Sequence, residues 1–263
     1  MSRVQLKVTY CGGPTALLEL ASLRLLTDPT FDPAGAAYPT GVYTLRKTLA
    51  PACNPEALGR IDAVLLSHDH HVDNLDHAGR TFLKTGVTVL TTPEGAERLG
   101  SHTIGLAPWH SVDLPTRDGR VVQVTGTPAR HGPAGADRGP VTGFVLALSE
   151  SPTDAIYISG DTVWYDGVAE VSRRFSVQIA VLFMGAARVL EVGPAHLTFT
   201  ADEAVQAARA FADATIIPLH YEGWAHLSQS RRHIEETFAA AGLARRLQWL
   251  KPGCATEVRN GTP

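Results

Sequence analysis

Apolar and polar positions along the chain switch between two periods. Short apolar or alternating runs at 4–10, 15–20 and 23–27, with a Gly12-Gly13-Pro14 turn between the first two, predict a meander of strands that ends at Asp28-Pro29. Residues 29–60 carry many Pro, Gly and Ala with little periodicity and predict a long irregular excursion, a length at which loops usually serve function. The run 61–66 reads as a buried strand, followed by a helix over 75–84, a strand over 87–91 and a short helix opened by Pro93-Glu94. Strands are expected at 103–106, 120–127, 142–148 and 155–159, with a Gly/Pro loop over 130–140. Asp166 is expected to cap a helix whose apolar face is Val168, Val171 and Phe175. The last third repeats strand then helix: 178–184, 200–212, 215–219, 228–241 and a closing strand at 247–250. Thr200 with Glu203 fits a capping box, and Ala204, Ala207, Ala208 and Phe211 share one face. Strands early and alternation later imply an α/β protein whose sheets are covered by helices.

Composition narrows the partners. The 263 residues are 44% hydrophobic and 19% charged, ordinary for a globular chain, and no break forces a split, so a single domain over 1–263 is expected. A formal charge of −3, with arginine doublets only at Arg173-Arg174, Arg231-Arg232 and Arg245-Arg246, argues against a nucleic-acid partner. No apolar stretch is long enough to span a membrane or form a secretory signal core, so a cytoplasmic location without membrane attachment is expected. Cys11, Cys53 and Cys254 are odd in number, far apart and without CxxC spacing, which reads as free thiols in a reducing compartment. A two-fold homo-oligomer is the default expectation for assembly.

The chemistry concentrates after strand ends. Ser67-His68-Asp69-His70-His71-Val72-Asp73-Asn74-Leu75-Asp76 follows the strand at 61–66 and has the look of a metal site. Other strand-like runs end near Asp28, His131, Asp161 and His220, and several such residues on one sheet edge favour a site over isolated surface histidines. Imidazole and carboxylate donors without nearby thiolates suit Zn2+, Mn2+ or Fe2+ in a hydrolytic site better than a structural zinc knot.

On these residues the chain resembles the metallo-β-lactamase-fold hydrolases over nearly its full length. Asp28 in Leu26-Thr27-Asp28-Pro29 looks like the first-motif aspartate, the 67–76 loop like the HxHxDH motif, and His131 like the third-motif histidine. Asp161 in Ser159-Gly160-Asp161-Thr162 looks like the bridging aspartate, and His220 in Ile217-Pro218-Leu219-His220-Tyr221 like the last histidine. The flanks Gly12-Gly13-Pro14-Thr15 and Leu26-Thr27-Asp28-Pro29 are similar to the branch with ascorbate-phosphate lactonases and phospholipase D-type members. The resemblance implies a four-layer αββα sandwich with two mixed sheets, and one or two metal ions held by His68, His70 or His71, Asp73, His131, Asp161 and His220.

The second motif departs from the family. With His68 and His70 as its first ligands, Val72 and Asp73 stand where Asp and His belong; with one residue inserted, His71 is the second ligand, Asp73 takes the Asp place and Asn74 that of the final histidine. The second alignment also matches Leu75-Asp76 to the Leu-Asp that follows the motif in lactonase-like members, while His70 stays an alternative ligand. Asn is a weaker donor to zinc than imidazole, so a second metal position is expected to bind weakly.

The implied reaction is attack of a metal-activated hydroxide on a small ester, lactone or phosphoester, with Asp73 orienting the nucleophile and His196 a catalytic candidate as oxyanion donor. Trp164 and Tyr165 are candidates for the substrate pocket, or else a packed helix start; His226, Tyr221 and Glu222 are candidates to support the ligands. Tyr38, Tyr43, Arg46 and Lys47 of the excursion are expected to fold over the site and bind an anionic group. His77, His102, His110 and His233 read as ordinary. Two further readings are a metal-binding sensor or scaffold with a degenerate second site, which Asn74 keeps open, and a nuclease of the same fold, disfavoured by charge.

Overall fold

The computed structural model describes residues 5–258. The chain opens with β1 (Leu6–Gly12), β2 (Thr15–Leu20) and β3 (Leu23–Thr27), then the hairpin β4 (Ala37–Pro39) and β5 (Thr44–Arg46). β6 (Ala63–Leu65), α1 (His77–Leu83), β7 (Thr88–Thr91), α2 (Pro93–Leu99), β8 (Thr103–Gly105), β9 (Ser111–Pro115) and β10 (Val121–Pro128) follow. Then come β11 (Thr142–Leu148), β12 (Ser151–Ile158), α3 (Asp166–Arg174), β13 (Val177–Phe183), α4 (Ala201–Ala210), β14 (Thr215–Leu219), α5 (Arg231–Ala240) and β15 (Ala255–Glu257).

These form a seven-stranded sheet ordered β15-β1-β2-β3-β6-β7-β8 and a six-stranded sheet ordered β14-β13-β12-β11-β10-β9. Period-two burial explains their packing: Leu6, Val8 and Tyr10 of β1 turn inward while Lys7 and Thr9 stay half-buried. The inward side chains meet Val124, Phe144, Ile156, Val181 and Ile217 of the other sheet. On the outer face of the six-stranded sheet, Val168 and Val171 of α3, Ala204, Ala207 and Ala208 of α4, and Ile234 and Phe238 of α5 cover Tyr157, Ala180 and Ile216. Phe82 of α1 and Leu99 of α2 cover Leu17, Leu26, Val64 and Val89 of the seven-stranded sheet. The result is the expected αββα sandwich of two mixed sheets.

Strand direction then places the site. β3 and β6 are parallel, β12, β13 and β14 are parallel, and β10 runs with β12 because both are antiparallel to β11. Asp28, Ser67-His68, His131, Asp161 and His220 therefore all leave the C-terminal ends of strands.

Several boundaries differ from expectation. The first strand begins at Leu6, and Val4 lies outside the described residues. β9 is not among the expected strands: it is a short edge strand that turns Val112 and Leu114 half-buried against the core and exposes Ser111, Asp113 and Pro115. Residues 247–250 form no strand, because only Leu247 bridges to Ile216; the closing strand is instead β15, on the edge of β1. Asp166 is the first residue of α3 with Tyr165 at the N-cap position, whereas Asp76 caps α1, its Oδ1 accepting from Gly79 N at 2.8 Å. The capping box of Thr200 and Glu203 forms as expected.

The cysteine expectation is corrected: Cys11 and Cys53 form a disulfide, with Cα atoms 4.9 Å apart, and only Cys254 is free. The pairing across 42 residues has no local sequence signal, because it depends on the excursion folding back beside the end of β1, where Ala52 N donates to Cys11 O at 2.8 Å. Among the described residues no helix is long and apolar enough to cross a membrane.

Candidate metal centre

The centre begins with a strut. Asp28, fully buried at the end of β3, has φ 25°, a backbone state that typically costs a non-glycine residue about 1–3 kcal/mol. Its Oδ1 accepts from both Ser67 N and Ser67 Oγ at 2.8 Å. The Ser67 hydroxyl, its proton directed to Asp28, accepts from His68 Nδ1 at 2.9 Å, which leaves His68 Nε2 with its lone pair facing the site. Burial pushes the Asp28 carboxyl well up, while the Ser67 donors oppose that and the Asp73 charge adds to it. Asp28 thus supports His68 from behind. Gly160 (φ 59°) permits the next approach, since a Cβ there would lie 2.7 Å from Thr142 O and 2.8 Å from Ser67 Cβ.

Around this strut lie three donor groups, each with its ligand atoms within 4.8 Å: His68, His70 and His71; His68, His131 and Asp161; Asp73, His220 and His226. His131 Nδ1 donates to Leu197 O at 2.8 Å, so its Nε2 faces Asp161 Oδ2 at 3.7 Å. The other Asp161 oxygen, Oδ1, lies 3.8 Å from His220 Nε2. Asp161 therefore stands between two groups of donors, one oxygen toward each. His220 has φ 50° and is held by its backbone N–H donating to Gly13 O at 2.8 Å.

His71 Nδ1 lies 2.9 Å from His68 Nε2, and His71 lines the open cleft. His70 is turned aside, its Nε2 meeting the Arg138 carbonyl at 2.9 Å. Asp69, beside them in sequence, points away and is gripped by Arg98 from α2 (Nε–Oδ2 2.8 Å), while Arg80 donates to its carbonyl. The loop is thereby braced from its outer side.

Electrostatics prepare these side chains for a cation. Burial, reinforced by neighbouring imidazoles, pulls His68 well below the ordinary histidine value and His71 down to about 3. Burial also pulls His131 down to about 4, against the Leu197 hydrogen bond and the Asp73 charge. All three are neutral at pH 7, as metal ligation requires. Burial pushes Asp161 up to about 7, with Asp73 and Asp28 adding and His220 and Asn74 opposing. Asp73 goes the other way: burial disfavours its charge, but His226 and His220 hold it well below the carboxylate range.

Both Asp161 oxygens and both His220 ring nitrogens are buried without a hydrogen-bond partner. Each orphaned group costs on the order of 1–3 kcal/mol. A divalent cation satisfies several at once, and a thiolate-free set of imidazole and carboxylate donors fits Zn2+, Mn2+ or Fe2+.

The remaining candidates are placed as follows. Asn74 is buried, its Nδ2 directed to Ser67 Oγ at 3.5 Å. Trp164 and Tyr165 pack as the start of α3, with the Arg130 guanidinium 4.4 Å from the Tyr165 ring centre. Tyr221 packs on Tyr10 and Trp249, with ring centres 6.2 and 5.1 Å apart. His196 is half-buried and outside the three donor groups, although the next residue, Leu197, supplies the carbonyl that orients His131. Lys47 does not face the cleft: its Nζ is buried against Asp76 Oδ2 at 2.9 Å, and Arg46 is exposed. Sequence reasoning missed Arg138, Leu45, Ala187, Val189 and Leu197, which line the cleft beside Tyr43, His71, Asp73, His131 and His226. They come from three separate segments, and nothing local marks them.

Residues 23–221 match the Beta-lactamase superfamily domain. The chain belongs to this superfamily. It is 25% identical over 249 residues to a UPF0173 metal-dependent hydrolase of Caldivirga maquilingensis, an alignment covering 93% of this chain and 94% of that relative. It is 27% identical over 260 residues to one from Pelotomaculum thermopropionicum, covering 96% and 100%. Its fold is shared with an isothiocyanate hydrolase from Delia radicum gut bacteria (TM-score 0.81, 24% identity, 95% and 98% covered). A possible metal-dependent hydrolase from Veillonella parvula has the same fold (TM-score 0.80, 16% identity, 97% and 99% covered). Within the superfamily, this chain is a metal-dependent hydrolase of the metallo-β-lactamase fold.

Proposed function

We propose that the substrate is a small ester or lactone with an apolar body. The observation that carries this reading is the cleft over the donors: Tyr43, Leu45, Ala187, Val189 and Leu197 form an apolar wall, and among the described residues Arg138 is the only Lys or Arg lining it. A phosphoester presents full negative charge at the reacting centre, which sites usually match with several cations; a neutral carbonyl on an apolar body suits this wall better.

His68, His71, His131 and Asp161 would hold one ion, with Zn2+ the first expectation and Mn2+ or Fe2+ the alternatives. Such an ion supplies Lewis acidity toward water and the scissile carbonyl. The chain does the rest. Leu197 O and Ser67 Oγ fix the tautomers of His131 and His68. Asp73, held ionised at the cleft wall, orients the attacking water and can accept its proton. The apolar wall excludes bulk water and seats the acyl or alkyl group, while Arg138 binds the oxygen-rich side of the substrate.

The test is a panel of apolar esters, lactones, phosphomonoesters and phosphodiesters, assayed before and after chelation and after return of each metal. Esters or lactones should exceed phosphoesters at least tenfold in kcat/KM, and chelation should abolish turnover until metal is restored. Turnover that survives chelation, or a phosphoester preferred over every ester and lactone, would overturn the proposal.

A further inference from the structure

We infer that His226 is a ligand in a second metal position, beside Asp73, His220 and the Oδ1 side of Asp161, taking the role left open by Asn74. This rests on the metal-dependent reading above. The loop 67–76 delivers Asp73, and β14 delivers His220, whose Nε2 lies 3.5 Å from Asp73 Oδ2. Two protein donors and a shared carboxylate make an incomplete cage, and the third full donor comes from the loop after β14: His226 Nε2 lies 2.9 Å from the same Asp73 oxygen. Four donors at roughly 2.0–2.2 Å from an ion stand about 3.3–3.6 Å from one another. Three of the donor pairs, His226–Asp73, His220–Asp73 and His220–Asp161, stand 2.9, 3.5 and 3.8 Å apart, near that spacing, and Asp73, His220 and His226 form one group with ligand atoms within 4.8 Å.

The loop that carries His226 is fixed on both sides, as a ligand loop must be. Thr48 N donates to Gly223 O at 2.8 Å and Ala225 N to Arg46 O at 2.9 Å, tying it to the excursion. On its other side, Arg188 N donates to the carbonyl of His226 at 2.9 Å and Ser228 N to Gly185 O at 2.9 Å. The imidazole is thus delivered by a preorganised backbone, with its Nδ1 buried and without a hydrogen-bond partner. Asn74 directs its amide nitrogen at Ser67 Oγ, 3.5 Å away, and its neutral amide oxygen is a weaker donor than the His226 imidazole.

A hydrogen-bonded Asp73–His226 pair could instead be a proton relay with no second ion, and metal counting separates the two. The wild type and His226→Ala are stripped of metal, titrated with Co2+ and Zn2+, and measured by d–d absorption, calorimetry and metal analysis, with far-UV circular dichroism as the fold control. The wild type should bind two equivalents, and His226→Ala should keep the first while its second weakens about 100-fold or more, since losing even an outer partner of a ligand costs roughly 10–100-fold. His226→Gln, which keeps a weak donor of similar reach, should fall between them, so the inference stays testable if the alanine variant misfolds. Two equivalents in His226→Ala with unchanged affinity overturn the inference, as does a single equivalent in the wild type, and neither touches the hydrolase reading. A wild type that binds no metal overturns both.

Discussion

Asp76→Ala tests how the excursion is held over the cleft. The Asp76 carboxylate is wholly buried and accepts from Phe31 N (2.9 Å), Asp32 N (2.7 Å), Gly79 N (2.8 Å) and Lys47 Nζ (2.9 Å). It therefore joins the start of the excursion, the N-terminus of α1 and the end of β5 at one point. Losing it orphans three backbone donors, at about 1–3 kcal/mol each where water does not replace the acceptor. It also leaves the Lys47 ammonium, 4% exposed, without its counter-charge. Burial already lowers the Lys47 pKa against the pull of Asp76, so Lys47 can shed its proton, which limits that part of the cost. We expect a total of about 4 kcal/mol, a large share of an ordinary stability of roughly 5–15 kcal/mol. Lys47→Met should cost only about 1–2 kcal/mol, because Asp76 keeps three N–H donors and the methionine refills the alkyl volume. The double variant should then be more stable than Asp76→Ala alone, by about 1–3 kcal/mol, because it no longer buries an unpaired amine. Urea unfolding of all four proteins in the same chelator-containing buffer at pH 7 measures this. A double variant no more stable than Asp76→Ala, or Lys47→Met as damaging as Asp76→Ala, would refute the reasoning.

Two other expectations follow from the supports of the site. Arg98 holds the Asp69 carboxyl below its ordinary value against the opposing effect of burial, so this pair contributes stability that is present above the unfolded aspartate pKa of about 3.9 and lost as pH falls through the lower folded value. Arg98→Gln should move the acid-unfolding midpoint to higher pH and cost more stability at pH 9 than at pH 4, where part of the contribution is already lost in the wild type; an unchanged midpoint counts against the brace. For the disulfide, closure of a loop across 42 residues corresponds to about 4 kcal/mol in the chain-entropy treatment. Cys11→Ser/Cys53→Ser should lower the urea midpoint and raise the m-value, because the untethered denatured chain is more expanded, and stability equal to the oxidised wild type would show that the tether contributes nothing.

The candidate site residues that follow strands are legible in the amino-acid order itself. Asp28, His68, His131, Asp161 and His220 each sit just past an apolar run, and strand ends on one edge of a sandwich converge whatever the details of the loops. The same periodicity reveals the capping box of α4 and the alanine face that packs on Ala180 and Ile216. A strand with little apolar content escapes it: β15 is held by edge pairing with β1, and backbone hydrogen bonds leave no mark on side-chain pattern.

Residue types and their order are local properties, so they are enough to specify an αββα metallo-hydrolase and to single out most of the candidate donors. What only the folded chain decides are the pairings across distance. His226 meets Asp73 from 153 residues away, Lys47 turns from the cleft to Asp76, and Cys11 finds Cys53. The choice of His71 over His70 at the cleft depends on the Arg138 carbonyl taking one ring. Each is a contact between segments that are independent in sequence. Their closure free energy is supplied by the packing of two sheets, and no periodicity within either segment carries a trace of the other.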